Sequence, residues 1–326
     1  MSAPNVRPHP DEQLDHYQLQ SLVSSSVIAD VFRAIDTHTQ KQVAIKIPHL
    51  EIESDPTLHD RFYREEEIET KLDHPGVMKI FPNPHRSQVY IVMEWLEGKL
   101  LRQILNEEKK LPADRAAKLV ICICDALEYI HGHGVVLRDL KPGTIMVDAD
   151  DNIKLFNFGF AALVGARRLT FANLSASLGT PDYISPEQVQ GKHGDARSDV
   201  YSLGAILYEM MTGTVPFPGT NPFKVMNDRL QNDPIPPTKI NPEITPQMQE
   251  IIYRALERDP KNRYASAREF AHDLRHPEQV GIPARPGSTR LENSKLVQSG
   301  RGLLFVVAVI LPLLVFAWLF LVSRHH

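Results

Sequence analysis

VVLRDLKP, residues 135–142, is the stretch on which the reading of the whole chain turns. A short apolar run ends there in three charged side chains, Arg138, Asp139 and Lys141, closed by Pro142. Immediately upstream lies RAAKLVICICDALEYIHGHG (115–134), a run of helical period with glycine at its end. Downstream come GTPDYISPE (179–187), then SDVYSLGAILYEMMTG (198–213), again helical and glycine-terminated, then DPKNR from Asp259. The character changes before Gly98. YQLQSLV (17–23), DVFRAID (30–36), QVAIKIP (42–48) and QVYIVMEWL (88–96) carry β-branched and aromatic residues between turn formers, which is strand composition. One charged helical stretch, TLHDRFYREEEIETKL (57–72), interrupts them. The chain between about Tyr17 and Arg275 therefore reads as one domain in two unequal parts.

The 326 residues suit a large two-part domain with extensions, and 42% hydrophobic content allows a sizeable core. A net charge of −4 gives no support for a nucleic-acid partner. Cys122 and Cys124 lie two apart inside an apolar helical run, where packing rather than metal binding is expected, and a reducing compartment follows. Residues 1–16, with Pro4, Pro8 and Pro10 among polar residues, read as a disordered tail rather than a targeting helix. Residues 276–302, punctuated by Pro277, Pro283 and Pro286, read as a linker.

The twenty residues 303–322, LLFVVAVILPLLVFAWLFLV, hold no charge. At a rise of ~1.5 Å per residue they match the roughly 30 Å hydrocarbon layer of a membrane. Arg285, Arg290, Lys295 and Arg301 precede them, so the domain is expected on the cytoplasmic side with only residues 323–326 beyond. A single C-terminal transmembrane helix is the expectation.

Within the strand-rich part, VAIK (43–46) ends an apolar strand in Lys46. Nineteen residues on, Glu65 shares a helical stripe with Phe62 and Leu72, so its carboxylate faces inward and needs a cation. Lys46 is the natural one; Glu66 and Glu67 are the alternatives, and the remaining glutamates read as solvated. Taken with VVLRDLKP, GTPDYISPE, SDVYSLG and DPKNR in that order, these motifs resemble the bacterial serine/threonine protein kinases of Hanks type over about 260 residues. The resemblance implies an α+β, two-lobed protein-kinase fold: a small β-rich lobe with one helix, residues 17–96, and a larger helical lobe, residues 97–275. It implies that Lys46 holds the α- and β-phosphates of ATP with Glu65 as its partner. Asp139 orients and deprotonates a substrate hydroxyl, and Lys141 steadies the γ-phosphate. Ala44, the gatekeeper Met93 and the hinge from Glu94 to Leu96 would receive adenine. Thr180 would order the catalytic loop, Asp199 would brace its backbone, and Glu187 would pair with Arg263. Leu137 stands where the family has histidine, a change that packing can absorb.

The departures cluster where phosphate and magnesium bind. The lid between Val23 and Val31 has Ser24, Ser26 and Ala29 at the three glycine positions, each adding a Cβ where backbone must approach phosphate. The two metal-ligand positions are Asn157, followed by Phe158 and Gly159, and Thr144. Both are uncharged, and Mg²⁺ prefers anionic oxygen. Losing ~4 kcal/mol of charge stabilisation would slow transfer about a thousandfold. These changes favour a membrane-tethered pseudokinase that acts as scaffold or allosteric partner for other proteins and binds ATP, if at all, without metal. The alternative is a weakly active serine/threonine kinase using ATP and Mg²⁺ on protein substrates, with Thr170, Ser175 and Ser177 as activation-segment phosphosites and Arg138 as their partner. A third reading makes the chain a substrate of other kinases. The resemblance points to a bacterial inner membrane.

Overall fold

Strand β3 (Ala29–Asp36) shows the alternation that a half-covered sheet demands: Phe32 and Ala34 are buried while Val31, Arg33 and Ile35 stay part-exposed. It pairs with β2 (Tyr17–Ser25) on one side and β4 (Gln42–Pro48) on the other. In this computed structural model, which describes residues 9–26, 28–49, 56–163 and 181–283, those strands join β1 (Gln13–Leu14), β5 (Ile80–Phe81) and β6 (Ile91–Glu94). The result is one antiparallel sheet in the order β1-β2-β3-β4-β6-β5. Its registers place Ser24 against Val31, Val31 against Lys46, and Ala44 against Met93.

The period-2 geometry of β4 sorts its residues onto two faces. Val43, Ile45 and Ile47 join Leu19, Phe32, Tyr90 and Val92 in one cluster. Ala44 joins Ala29, Met78, Ile80 and Met93 against Phe62 of helix α1 (Pro56–Glu69). Lys46, in phase with Ala44, is thereby aimed towards that helix. Each large apolar side chain removed from water here contributes ~1.5–3 kcal/mol, so the helix is held by burial rather than by its own propensity.

The second lobe is helical: α2 (Leu101–Glu108) follows the two-residue strand β7 (Lys99–Leu100), then come α3 (Ala113–Gly132), α4 (Pro186–Val189), α5 (Ala196–Thr212), α6 (Pro222–Gln231), α7 (Pro237–Ile240), α8 (Pro246–Ala255) and α9 (Ala267–Arg275). Helix α3 buries Leu119, Val120, Ile123, Leu127 and Ile130 completely, packed against α5 and α9. Cys124 is buried in the same core and Cys122 packs beside it; both are free thiols. Helix α5 starts at an Asp195 cap that accepts the Arg197 N–H and ends at Gly213 with φ +78°, a left-handed position that favours glycine. Short strands β8 (Val135–Val136), β9 (Ile145–Val147), β10 (Ile153–Leu155) and β11 (Ala162–Leu163) carry the chain between α3 and α4.

A seam of backbone joins the lobes. Met78 N–H donates to Leu155 O at 2.9 Å and Leu155 N–H to Gly76 O at 2.8 Å. A Cβ at Gly76 would lie 2.9 Å from the Cβ of Ala126, so the close approach of the two lobes needs glycine there.

Two expectations change. Residues 13–14, inside the stretch read as a disordered tail, form β1 and pair with Tyr17 and Gln18. A two-residue strand shows no periodicity, so sequence gives no sign of it. Glu69, read as solvated, is 1% exposed. The segment 303–322, residues 284–302 and 323–326 lie outside the described residues. Among the described residues no helix is long and apolar enough to cross a membrane.

Candidate functional site

The cleft between the lobes collects most of the singled-out side chains. Lys46 Nζ sits 2.7 Å and 2.6 Å from the two carboxylate oxygens of Glu65, which is 4% exposed. Glu66 and Glu67 go elsewhere: Glu66 takes Arg86 at 2.6 Å and 3.0 Å, and Glu67 takes Lys71. Above Lys46, Val31 is half-buried and Ala44 and Met93 are buried. Val23 and the residue-24 position are exposed on the lid. Glu94 closes β6, accepts the Lys79 N–H at 2.7 Å and pairs with Lys154 at 2.6 Å. Leu96 lies half-buried beside it.

Below, the loop after β8 is held from inside. Asp199, with no exposed surface, accepts the backbone N–H of Leu137 at 2.9 Å and of Arg138 at 2.8 Å. It also takes His131 Nε2 at 2.8 Å. Arg138 has φ +67°, a strained value for a non-glycine residue that these bonds impose. Its carbonyl accepts Gln188 Nε2 at 2.9 Å, and burial lowers its guanidinium pKa below the ordinary value. Leu137 is buried, filling the space under the loop. Thus fixed, Asp139 presents a carboxylate 2.6 Å from Lys141 Nζ.

Glu187 and Arg263 form a two-pronged ion pair at 2.8 Å and 2.6 Å, with Ser198 Oγ donating to Glu187 at 2.7 Å. Burial pushes the Glu187 carboxyl up, but the bonds from Arg263 and Ser198 outweigh it and hold the pKa below its usual value. Thr170, Ser175, Ser177 and Thr180 lie outside the described residues.

The two altered positions differ in kind. Asn157 has φ +70° and ψ +67°, and Phe158 behind it is buried against α1. Thr144 is 4% exposed and turns its hydroxyl inward: Oγ1 donates to Lys141 O at 3.0 Å and accepts the Lys141 N–H at 3.3 Å. That hydroxyl caps its own 3₁₀ turn, and Asn157 offers an amide in place of a carboxylate. This donor set does not fit a magnesium site of the kind the family resemblance implies. The only group of three metal-capable side chains among the described residues, His16, Asp36 and His38, lies on the outer turns of the sheet instead.

Two functional-site residues escape sequence reading. His131 braces Asp199, with no spacing signal to reveal it. Glu69 Oε1 accepts the Phe158 N–H at 3.2 Å, while Oε2 is buried with no hydrogen-bond partner among the described residues. Burial first, and then the nearby Glu65 charge, push its pKa well above the usual carboxylate range. Its signal was the four-residue spacing from Glu65, which puts both on one helix face.

The protein kinase domain model matches residues 17–275. The chain is 33% identical over 282 residues to the serine/threonine-protein kinase PknB of Mycolicibacterium smegmatis, covering 85% of this chain and 45% of that protein. It is 37% identical over 263 residues to a probable serine/threonine-protein kinase of Streptomyces coelicolor, covering 79% and 39%. The chain thus spans less than half the length of these relatives. The crystal structure of the Mycobacterium tuberculosis PknI kinase domain, in a cysteine-to-alanine mutant form, superposes with a TM-score of 0.65 at 23% identity, over 84% of this chain and 100% of that one.

Proposed function

The chain belongs to the protein kinase domain family, and on that premise we propose that its cleft binds ATP and slowly transfers the γ-phosphoryl group to serine or threonine hydroxyls of protein substrates. The observation that carries this reading is the pair of assembled clusters, Lys46 gripped by both oxygens of Glu65 in one lobe and Asp139 with Lys141 on the loop braced by Asp199 in the other. In the step, the substrate oxygen bonds to the γ-phosphorus as the bridging β–γ bond breaks and ADP leaves. Asp139 takes the hydroxyl proton, and the ammonium groups of Lys46 and Lys141 face the phosphate charge. Asn157 and Thr144 do not supply the anionic oxygens that magnesium prefers. The test is phosphate transfer from labelled ATP by the full-length protein to itself or to serine and threonine peptides, with Asp139→Asn as control. Transfer that persists in Asp139→Asn, or none at all in wild type, sinks this reading.

Thr144 favours a second reading, a pseudokinase that holds nucleotide without metal and acts as scaffold or allosteric partner. Its hydroxyl is committed to the Lys141 backbone. Binding that ignores added Mg²⁺ or Mn²⁺, without transfer, supports it.

For location we propose a single-pass membrane anchor at residues 303–322 with the kinase domain cytoplasmic. The uncharged twenty-residue run and the basic residues before it support this. Recovery of the full-length protein in the soluble fraction after alkaline extraction would refute it.

A further inference from the structure

The β2–β3 ladder runs from Ser25 against Asp30 beside the lid to Tyr17 against Asp36 at its far end. At that far end two turns meet. His16 stands in the turn between β1 and β2, while Asp36 closes β3 and His38 follows it in the turn to β4. The turns are tied together, because Thr37 donates its backbone N–H at 2.9 Å and its hydroxyl at 2.7 Å to His16 O. The Asp36 carboxylate is oriented by its own turn. Oδ1 accepts the N–H groups of His38 at 2.9 Å and Thr39 at 3.3 Å, and Oδ2 accepts the Thr39 hydroxyl at 2.8 Å. The His16 and His38 rings are parallel with centroids 4.4 Å apart, and His16 Nε2 is 4.0 Å from Asp36 Oδ1. His16 also packs on the buried Tyr17 ring at 4.0 Å, which limits its side-chain freedom. One donor atom from each of the three side chains lies within 4.8 Å of the other two.

Tetrahedral zinc, with bonds of ~2.0–2.1 Å, sets its ligand atoms roughly 3.4 Å apart, so shifts of about 1 Å in these surface side chains close the set. Two imidazoles and a carboxylate suit a first-row transition ion, whereas magnesium prefers an all-oxygen shell. Hydrogen bonds to a ligating carboxylate, such as those Asp36 accepts, orient it for the metal. We infer that His16, Asp36 and His38 bind one Zn²⁺, with a fourth position open to water, and so clasp the first hairpin turn of the sheet to the second. The site lies at the opposite end of the β2–β3 ladder from the lid, so the inference is independent of what the cleft binds.

The experiment titrates the full-length protein, free of metal and nucleotide, with Zn²⁺ by calorimetry in a buffer that does not chelate it. The expected result is a saturable site that His16→Ala and His38→Ala each weaken at least about tenfold. Zn²⁺ should raise the melting temperature of wild type and leave that of either variant unchanged. His38 is exposed, so His38→Ala leaves the core untouched and its metal-free melt should match wild type. A competing ligand set is the His272 and His276 pair on α9, with ring centroids 5.0 Å apart. The double variant His272→Ala, His276→Ala is expected to keep the site. Wild-type protein that takes up no zinc below about 100 μM overturns the inference. So does zinc binding that survives unchanged in His16→Ala or His38→Ala, or that vanishes with His272 and His276.

Discussion

Glu69 holds the backbone N–H of Phe158 at 3.2 Å, one helical turn beyond the Glu65 that grips Lys46. A single face of α1 therefore touches both the lysine of one lobe and the turn carrying Asn157 in the other. Because burial and the Glu65 charge raise the Glu69 pKa, the folded state binds its proton more tightly than the unfolded chain does. Its stabilising contribution is complete below the ordinary carboxylate range and is lost as pH rises towards the raised folded value. Glu69→Gln keeps an acceptor for Phe158 and cannot ionise. Thermal melts between pH 5 and 8 should show wild type losing ground to Glu69→Gln as pH rises. Parallel curves would show that Glu69 does not titrate this way.

The Glu187–Arg263 pair should be costly to break from one side only. Arg263→Met leaves a buried carboxylate unpaired and is expected to cost about 3–5 kcal/mol in denaturant unfolding, whereas the double variant Glu187→Gln, Arg263→Met costs far less. The depressed Glu187 pKa gives the opposite pH dependence to Glu69. Its contribution is present above the unfolded carboxylate value and is lost as pH falls through the lower folded one.

Asp199→Asn keeps the shape of the brace but leaves one acceptor oxygen for three donors. We expect a loss of ~1–3 kcal/mol and faster amide hydrogen exchange at Leu137 and Arg138, with the exchange at distant α3 amides unchanged. Equal acceleration everywhere would mean global destabilisation and no special hold on the loop.

Restoring both metal-ligand positions, Asn157→Asp with Thr144→Asn, should make nucleotide binding metal-dependent. The thermal shift with ATP is expected to grow on adding Mg²⁺ in the double variant and to stay flat in the parent. Asn157→Asp alone should do less, because Thr144 would still close its turn on Lys141. A double variant indifferent to Mg²⁺ would place the obstacle in the lid.

Lys46 and Glu65 could be read from a strand end and a helical stripe, whereas Asp139, Asp199, Glu187 and Arg263 were named through the order of motifs that the family resemblance supplies; the structure joins Lys46 to Glu65 and Glu187 to Arg263. Glu65 announced its own direction through Phe62 and Leu72. Glu69 was hidden by the same charged run, since an ionised carboxylate in the core is costly and the ordinary inference sends it to solvent. A buried carboxyl whose pKa is raised escapes that inference. Ser26 and Thr144 could be named as departures from pattern, but where their hydroxyls point is decided by rotamers and by turns of four residues. Composition carries no record of either. Strand β1 is too short for any period, and it owes its existence to the edge that β2 offers.

The paired backbone at residues 76–78 and 155, flanked by the Glu94–Lys154 contact, acts as a short axle between the lobes. Rotation about it leaves these bonds intact, whereas pulling the lobes straight apart would rupture them together. Opening and closing should therefore be torsional, with the lid at the far rim sweeping the widest arc and the hinge scarcely moving. A ligand anchored at the hinge would ride near the still point of that motion, while its distal end would feel nearly all of it.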